Sequence, residues 1–95
     1  MKRPYIGYVE ISDKMAEKLI TRRGLTSEDV RDACQAPGRY RRAAWHLHPE
    51  YGRRLIVFGS TRDGKLIKVV LQPVDQRDGT WRLRTAVVAS RGEGA

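Results

Sequence analysis

A single cysteine, Cys34, stands in the 95 residues, so no intrachain disulfide can form and a cysteine-built metal site has no second ligand. Long apolar runs are missing too: nothing approaches the roughly 18 consecutive apolar residues of a membrane-spanning helix. The basic start MKRPYIGYVE meets Glu10, Asp13 and Lys14 before any run of signal-peptide length. With no repeat, linker or low-complexity tract, the expectation is one cytoplasmic α+β domain over residues 1–90 and a flexible tail over 91–95, with no membrane partner. Acidic residues are comparatively scarce.

Nineteen Lys and Arg stand against eleven Asp and Glu, a net charge of +8. Fourteen of the nineteen are Arg, whose planar fork fits phosphate oxygens. The excess is uneven: residues 1–37 carry a net +1 and residues 38–95 a net +7. A polyanion is the partner class this balance favours, set against a merely solvated basic surface.

Residues Tyr5 to Ile11 read as a short strand. Ser12 then suits the N-cap of a helix whose apolar stripe is Met15, Ala16, Leu19 and Ile20, and Gly24 ends it. Thr26 suits the cap of a second helix, with Glu28 and Asp29 in its first turn and a staple of Leu25 on Val30. Val30, Ala33 and Cys34 form its buried stripe, which makes Cys34 a small core residue, and Pro37-Gly38 stops it. From there the apolar period changes to two, with strands at about 40–47, 53–60, 65–73 and 80–88. The expected fold is two N-terminal helices on one face of a four-stranded antiparallel meander, with room for the short N-terminal strand.

Faces follow from the turns. A two-residue turn at Asp63-Gly64 sets Phe58 opposite Val69 and Ile56 opposite Leu71. A loop over Asp75 to Gly79 sets Val74 opposite Thr80, Leu83 opposite Leu71, Thr85 opposite Val69, Arg82 opposite Gln72 and Arg84 opposite Val70. Ile56, Phe58, Ile67, Val69, Leu71, Trp81, Leu83 and Val87 then face the helices, as do Trp45 and Leu47 by alternation. Lys68, Gln72, Arg82 and Arg84 fall on the open face with Leu55, Val57 and Val70, together with Arg42, Ala44 and His46. Same-side neighbours on a strand lie about 7 Å apart, close to the spacing of successive phosphates in a single strand, so Arg82 and Arg84 are placed to grip adjacent phosphates.

The run from Arg53 through Val70, RRLIVFGSTRDGKLIKVV, followed by Trp81-Arg82-Leu83-Arg84-Thr85-Ala86, resembles the second half of BrnT-type toxins. There an Arg and a strand lead to a glycine, a hairpin, an apolar strand, and an Arg-bearing strand ending in Ser/Thr-Ala. The segment Arg23-Gly24-Leu25-Thr26-Ser27-Glu28-Asp29-Val30 is similar to the helical half, so the likeness covers most of the chain. It implies a RelE/barnase-like fold, metal-independent endoribonuclease activity and a cognate antitoxin. Arg53 or Arg54 matches the family's Arg before the strand, and Arg82 its last-strand Arg. Val87 stands where the family commonly has a further Arg, a place for which Arg84 is the substitute at hand.

Cleavage of RNA by its own 2′-hydroxyl needs a base, cations on the phosphorane oxygens and an acid for the leaving oxygen. The candidate catalytic residues are Arg82, Arg84 and His46, and the candidate nucleic-acid contacts Arg42, Arg54 and Lys68. His46 and His48 read as His-x-His, half a metal site with no acidic or cysteine ligand in register, so no metal or cofactor is expected. Glu50 and Tyr51 are alternative acid or base groups on the intervening loop. The alternative classes are a non-catalytic nucleic-acid-binding module and a partner-binding regulator of the same fold; a dimer stays open.

Overall fold

The computed structural model describes residues 4–35 and 40–89. The helix stop at Pro37-Gly38 and the tail at 91–95 lie outside the described residues. Ser12 caps α1 (Asp13–Lys18), its hydroxyl accepting the Met15 N–H at 3.1 Å. The helix runs on into a π-helical turn, Leu19–Arg23, closed by the N–H groups of Gly24 and Leu25 on the carbonyls of Ile20 and Leu19 at 3.2 and 3.1 Å. That wider turn rotates the stripe: Leu19 is buried, but Ile20, expected beside it, is 58% exposed. In α2 (Ser27–Cys34) the cap is reciprocal, Asp29 N–H to Thr26 Oγ1 at 3.1 Å and Thr26 N–H to Asp29 Oδ2 at 2.9 Å. Leu25, Val30, Ala33 and Cys34 are buried, and burial pushes the Cys34 thiol up to about 12.

Among the described residues the sheet has five strands, ordered β1-β5-β4-β3-β2: β1 (Tyr8–Glu10), β2 (Tyr40–His48), β3 (Gly52–Ser60), β4 (Leu66–Asp75) and β5 (Thr80–Val88). The sheet is mixed, because β1 runs parallel to β5 while the other pairs are antiparallel; the four-stranded antiparallel sheet is corrected accordingly. The N-terminal segment is fixed by Gly7 and Tyr8 N–H groups on the Gly79 carbonyl and by the Trp81 indole N–H on the Tyr5 carbonyl. Arg31 of α2 and Gln35 at its C-cap cover the other edge of β1: Gln35 Oε1 accepts the Val9 N–H, and Arg31 donates to the Val9 carbonyl, each at 3.2 Å.

One hairpin reverses the expected faces of β3. Ser60 pairs with Leu66, and the Thr61 N–H meets the Lys65 carbonyl at 2.8 Å, closing a three-residue loop of Arg62, Asp63 and Gly64. The loop is a turn from Thr61 to Gly64 with Gly64 at φ +89°, which glycine adopts without strain. Thr61 stabilises it, donating to Asp63, whose carboxyl this bond holds below its usual range, and accepting the Lys65 N–H at 3.0 Å. One extra loop residue shifts the register by one and turns every β3 side chain over. Leu55 and Val57, expected outside, are fully buried opposite Leu71 and Val69; Ile56 and Phe58, expected beneath the helices, take the other face opposite Val70 and Lys68, where Phe58 remains buried.

Two bulges correct β5. Leu71 pairs with Leu83 and Gln72 with Arg82 as expected, but Val70 pairs with Thr85 and Val69 with Ala86, leaving Arg84 as an extra residue. Ala86 is therefore buried in place of Val87, and Asp75 rather than Val74 meets Thr80 across a second irregularity. Trp45 and Leu47 take the helix side with Leu55 and Arg53, yet are 39% and 73% exposed because the helices lie over β3, β4 and β5. At its closest, α2 leaves no room for a side chain on β3: a Cβ at Gly59 would lie 2.0 Å from the Ala33 carbonyl oxygen. No helix among the described residues is long and apolar enough to cross a membrane.

Candidate functional site

The sheet face away from the helices holds a concavity of about 390 Å³. Ile56 and Val70, cross-strand partners at mid-sheet, give it an apolar floor. Around them stand His46 and His48 from β2, Tyr51 from the following turn, Arg54 from β3, Lys68 from β4 and Arg84 from the β5 bulge. No Asp or Glu lines it. The reversed register of β3 is what brings Arg54 and Ile56 to this side, and the bulge re-aims Arg84.

Arg54 is the unusual member. It is 7% exposed, and among the described residues no carboxylate pairs with it. One terminal nitrogen donates to the carbonyls of Tyr51 at 2.9 Å and Arg53 at 3.3 Å, and the guanidinium lies 5.6 Å from the centre of the Tyr51 ring. A cation held in a low-dielectric wall by neutral dipoles alone favours an incoming anion.

The two imidazoles differ. His48 Nδ1 accepts the backbone N–H groups of Glu50 and Tyr51 at 3.0 and 3.2 Å, which puts the ring proton on Nε2. Its ring stacks on Tyr51 with centroids 4.5 Å apart. His46 is exposed, holds no hydrogen bond among the described residues, and has its ring centroid 6.4 Å from that of His48. The fixed ring can donate a hydrogen bond from Nε2.

Four of the six residues singled out from the sequence meet here: His46, Arg54, Lys68 and Arg84. Arg82 does not. It pairs with Glu10 at 3.3 Å and lines a neighbouring hollow beside β1 and Ser12, which Arg84 also borders. Arg42 lies over the Phe58 ring, 4.8 Å from its centroid, outside the basin. His48, read from the sequence as half of a His-x-His metal site, and Tyr51, read as an alternative acid or base, join the four in the basin, and the His48-Pro49-Glu50-Tyr51 turn carries the signal: a side-chain acceptor ahead of two backbone amides. Trp45 sits on the other face, 5.7 Å from Trp81 and under the Arg53 guanidinium at 4.0 Å, so no indole lines the basin. Among the described residues no three His, Cys, Asp or Glu side chains stand together as a metal site. Compared with protein-family models, curated proteins and solved structures, the chain matches none.

Proposed function

We propose that the protein is a toxin-like endoribonuclease of the cytoplasm that cleaves RNA without a metal by attack of a 2′-hydroxyl, and that an antitoxin neutralises it. The observation that carries this reading is Arg54: a buried guanidinium with no carboxylate among the described residues, opening on a basin that also holds an imidazole and two further cations. The resemblance to BrnT-type toxins supplies the reaction class.

In the proposed reaction His46 takes the proton of the 2′-hydroxyl as its oxygen bonds to phosphorus. Arg54 and Arg84 bind the non-bridging oxygens, whose charge grows in the phosphorane. His48 donates a hydrogen bond from Nε2 to the same group but, as a neutral ring, is no proton source. The Lys68 ammonium protonates the 5′-oxygen as its bond to phosphorus breaks. The products are a 2′,3′-cyclic phosphate and a 5′-hydroxyl, and Ile56 and Val70 give the sugar an apolar surface.

Incubating the purified chain with single-stranded RNA in the presence of EDTA tests this. Fragments with those two ends are expected, and a 2′-deoxy residue at the cleavage position blocks the cut. Arg84→Ala and His46→Ala each lower the rate by about a hundredfold or more, whereas Arg82→Ala has a smaller effect. Tight, salt-sensitive binding with no cleavage under any of these conditions refutes the enzyme and leaves a nucleic-acid-binding module.

A further inference from the structure

A further concavity, about 180 Å³, shares Met15 and Arg84 with the hollow beside β1 and Arg84 with the basin. Its wall is Met15 and Leu19, and its rim is Lys18, Arg22 and Arg23 from the end of the first helix with Arg84 and Thr85 from the bulge. Among the described residues none of these four cations pairs with a carboxylate, and no acidic side chain lines the hollow. Basic residues often serve the carbonyls at a helix C-terminus, but here Gly24 and Leu25 already cap the Leu19 and Ile20 carbonyls. Four like charges around one hollow repel each other when it is empty, and a polyanion relieves that repulsion. Arg84 lines this concavity and the basin, so one side chain's span separates them.

We infer that this hollow is a second phosphate subsite, which holds the backbone of a single-stranded RNA one or a few nucleotides away from the phosphate seated against Arg54. The bulge makes the link: because Arg84 is an extra residue in the strand, it and Thr85 both stand opposite Val70 at the sheet edge, with Arg84 turned to both hollows. The ligand class is therefore an extended oligonucleotide rather than a mononucleotide. This inference rests on the RNA reading above, but it concerns binding and does not need turnover.

The test is the affinity of the full chain for fluorescent 2′-O-methyl RNA, a trinucleotide and a dodecamer, across a salt series. The double variant Arg22→Gln/Arg23→Gln alters exposed side chains, and its thermal melting serves as the check of folding. Dodecamer affinity is expected to fall roughly tenfold, and the slope of log affinity on log salt to shrink by about 1.4, or about 0.7 for each lost phosphate contact. The affinity ratio of dodecamer to trinucleotide falls with them. An unchanged slope and ratio overturn the subsite, even if wild-type RNA cleavage is normal. A changed slope in a chain that cleaves nothing upholds the subsite while the enzymatic reading fails. An acidic peptide displaced by the double substitution, with RNA affinity untouched, overturns it in favour of a protein partner.

Discussion

The two faces of the sheet solve opposite problems with the same alternating strands. Beneath the helices, Leu55, Val57, Ile67, Val69, Leu71 and Trp81 are almost wholly buried, and Gly59 gives up its side chain so that the Ala33 carbonyl can approach. On the other side an apolar pair at mid-sheet is ringed by cations and imidazoles, and the best-buried of those cations has no carboxylate among the described residues. One face is closed by packing, the other left open in charge. The difference teaches where stability and binding reside: the covered face should be costly to alter and silent towards RNA, and the open face the reverse.

Thiol labelling gives the largest expected effect. Cys34 is sealed between α2 and the sheet with its thiol pushed up to about 12, so alkylation at neutral pH should wait for unfolding and run about a thousandfold or more slower than in denaturant. The fold favours the protonated thiol, so its contribution to stability is intact below the ordinary value of 9.0 and is lost as pH climbs from there towards about 12. Denaturation followed through that window should show the loss, and Cys34→Ala should lack this part of it. Rapid labelling of the native chain would mean that the covered face is not closed.

Arg54→Met is next. Loss of a preorganised cation should lower RNA cleavage by about 2–4 kcal/mol of transition-state stabilisation, read as the rate ratio to wild type. In denaturant melts the variant should match or exceed wild-type stability, since an apolar side chain of similar length replaces a buried charge. A clear loss of stability with activity retained would make Arg54 a structural residue and remove the contrast between the faces. Gly59→Ala should behave in the reverse sense. A methyl group 2.0 Å from a backbone oxygen forces α2 off the sheet, at about 1–3 kcal/mol in urea unfolding, while RNA affinity below the transition stays near wild type.

Much of this contrast was legible in the sequence, and the misses have local causes. Helix caps at Ser12 and Thr26, the burial of Leu25 and Val30 and the four long strands follow from short-range chemistry that no distant contact overrides. The β3 register was lost on one loop residue: Asp63-Gly64 fits a two-residue turn, but the Thr61 hydroxyl bonds across a longer one. An error of one turned Leu55 and Val57 outward while leaving Arg54 among the site candidates, because that choice rested on its charge and the family pattern. Bulges leave no mark in the alternation, so Arg84 was read as an ordinary partner of Val70 and paired in role with Arg82. The parallel pairing of β1 joins residues more than seventy positions apart, and three residues carry too little pattern to announce it.

The smallest effect tests whether Arg82, which shares a hollow beside β1 with Arg84, stays out of the basin. Glu10 and Arg82 form an ion pair at 3.3 Å with side chains 41% and 52% exposed, which places it among surface pairs worth about 0.2–1 kcal/mol. Glu10→Gln should therefore shift the melting transition little, and RNA affinity should rise less than about threefold, as expected from removing one screened negative charge near a basic face. The rate of cleavage should hardly change, since Arg82 lines a hollow beside β1 rather than the basin. If freeing Arg82 instead raises the rate by about tenfold, equivalent to about 1.4 kcal/mol, then Arg82 swings across Gln72 to the reacting phosphate and Glu10 acts as its restraint. The open face would then have two positions for its arginines, and the fixed contrast between a closed and an open side would have to give way to a switched one.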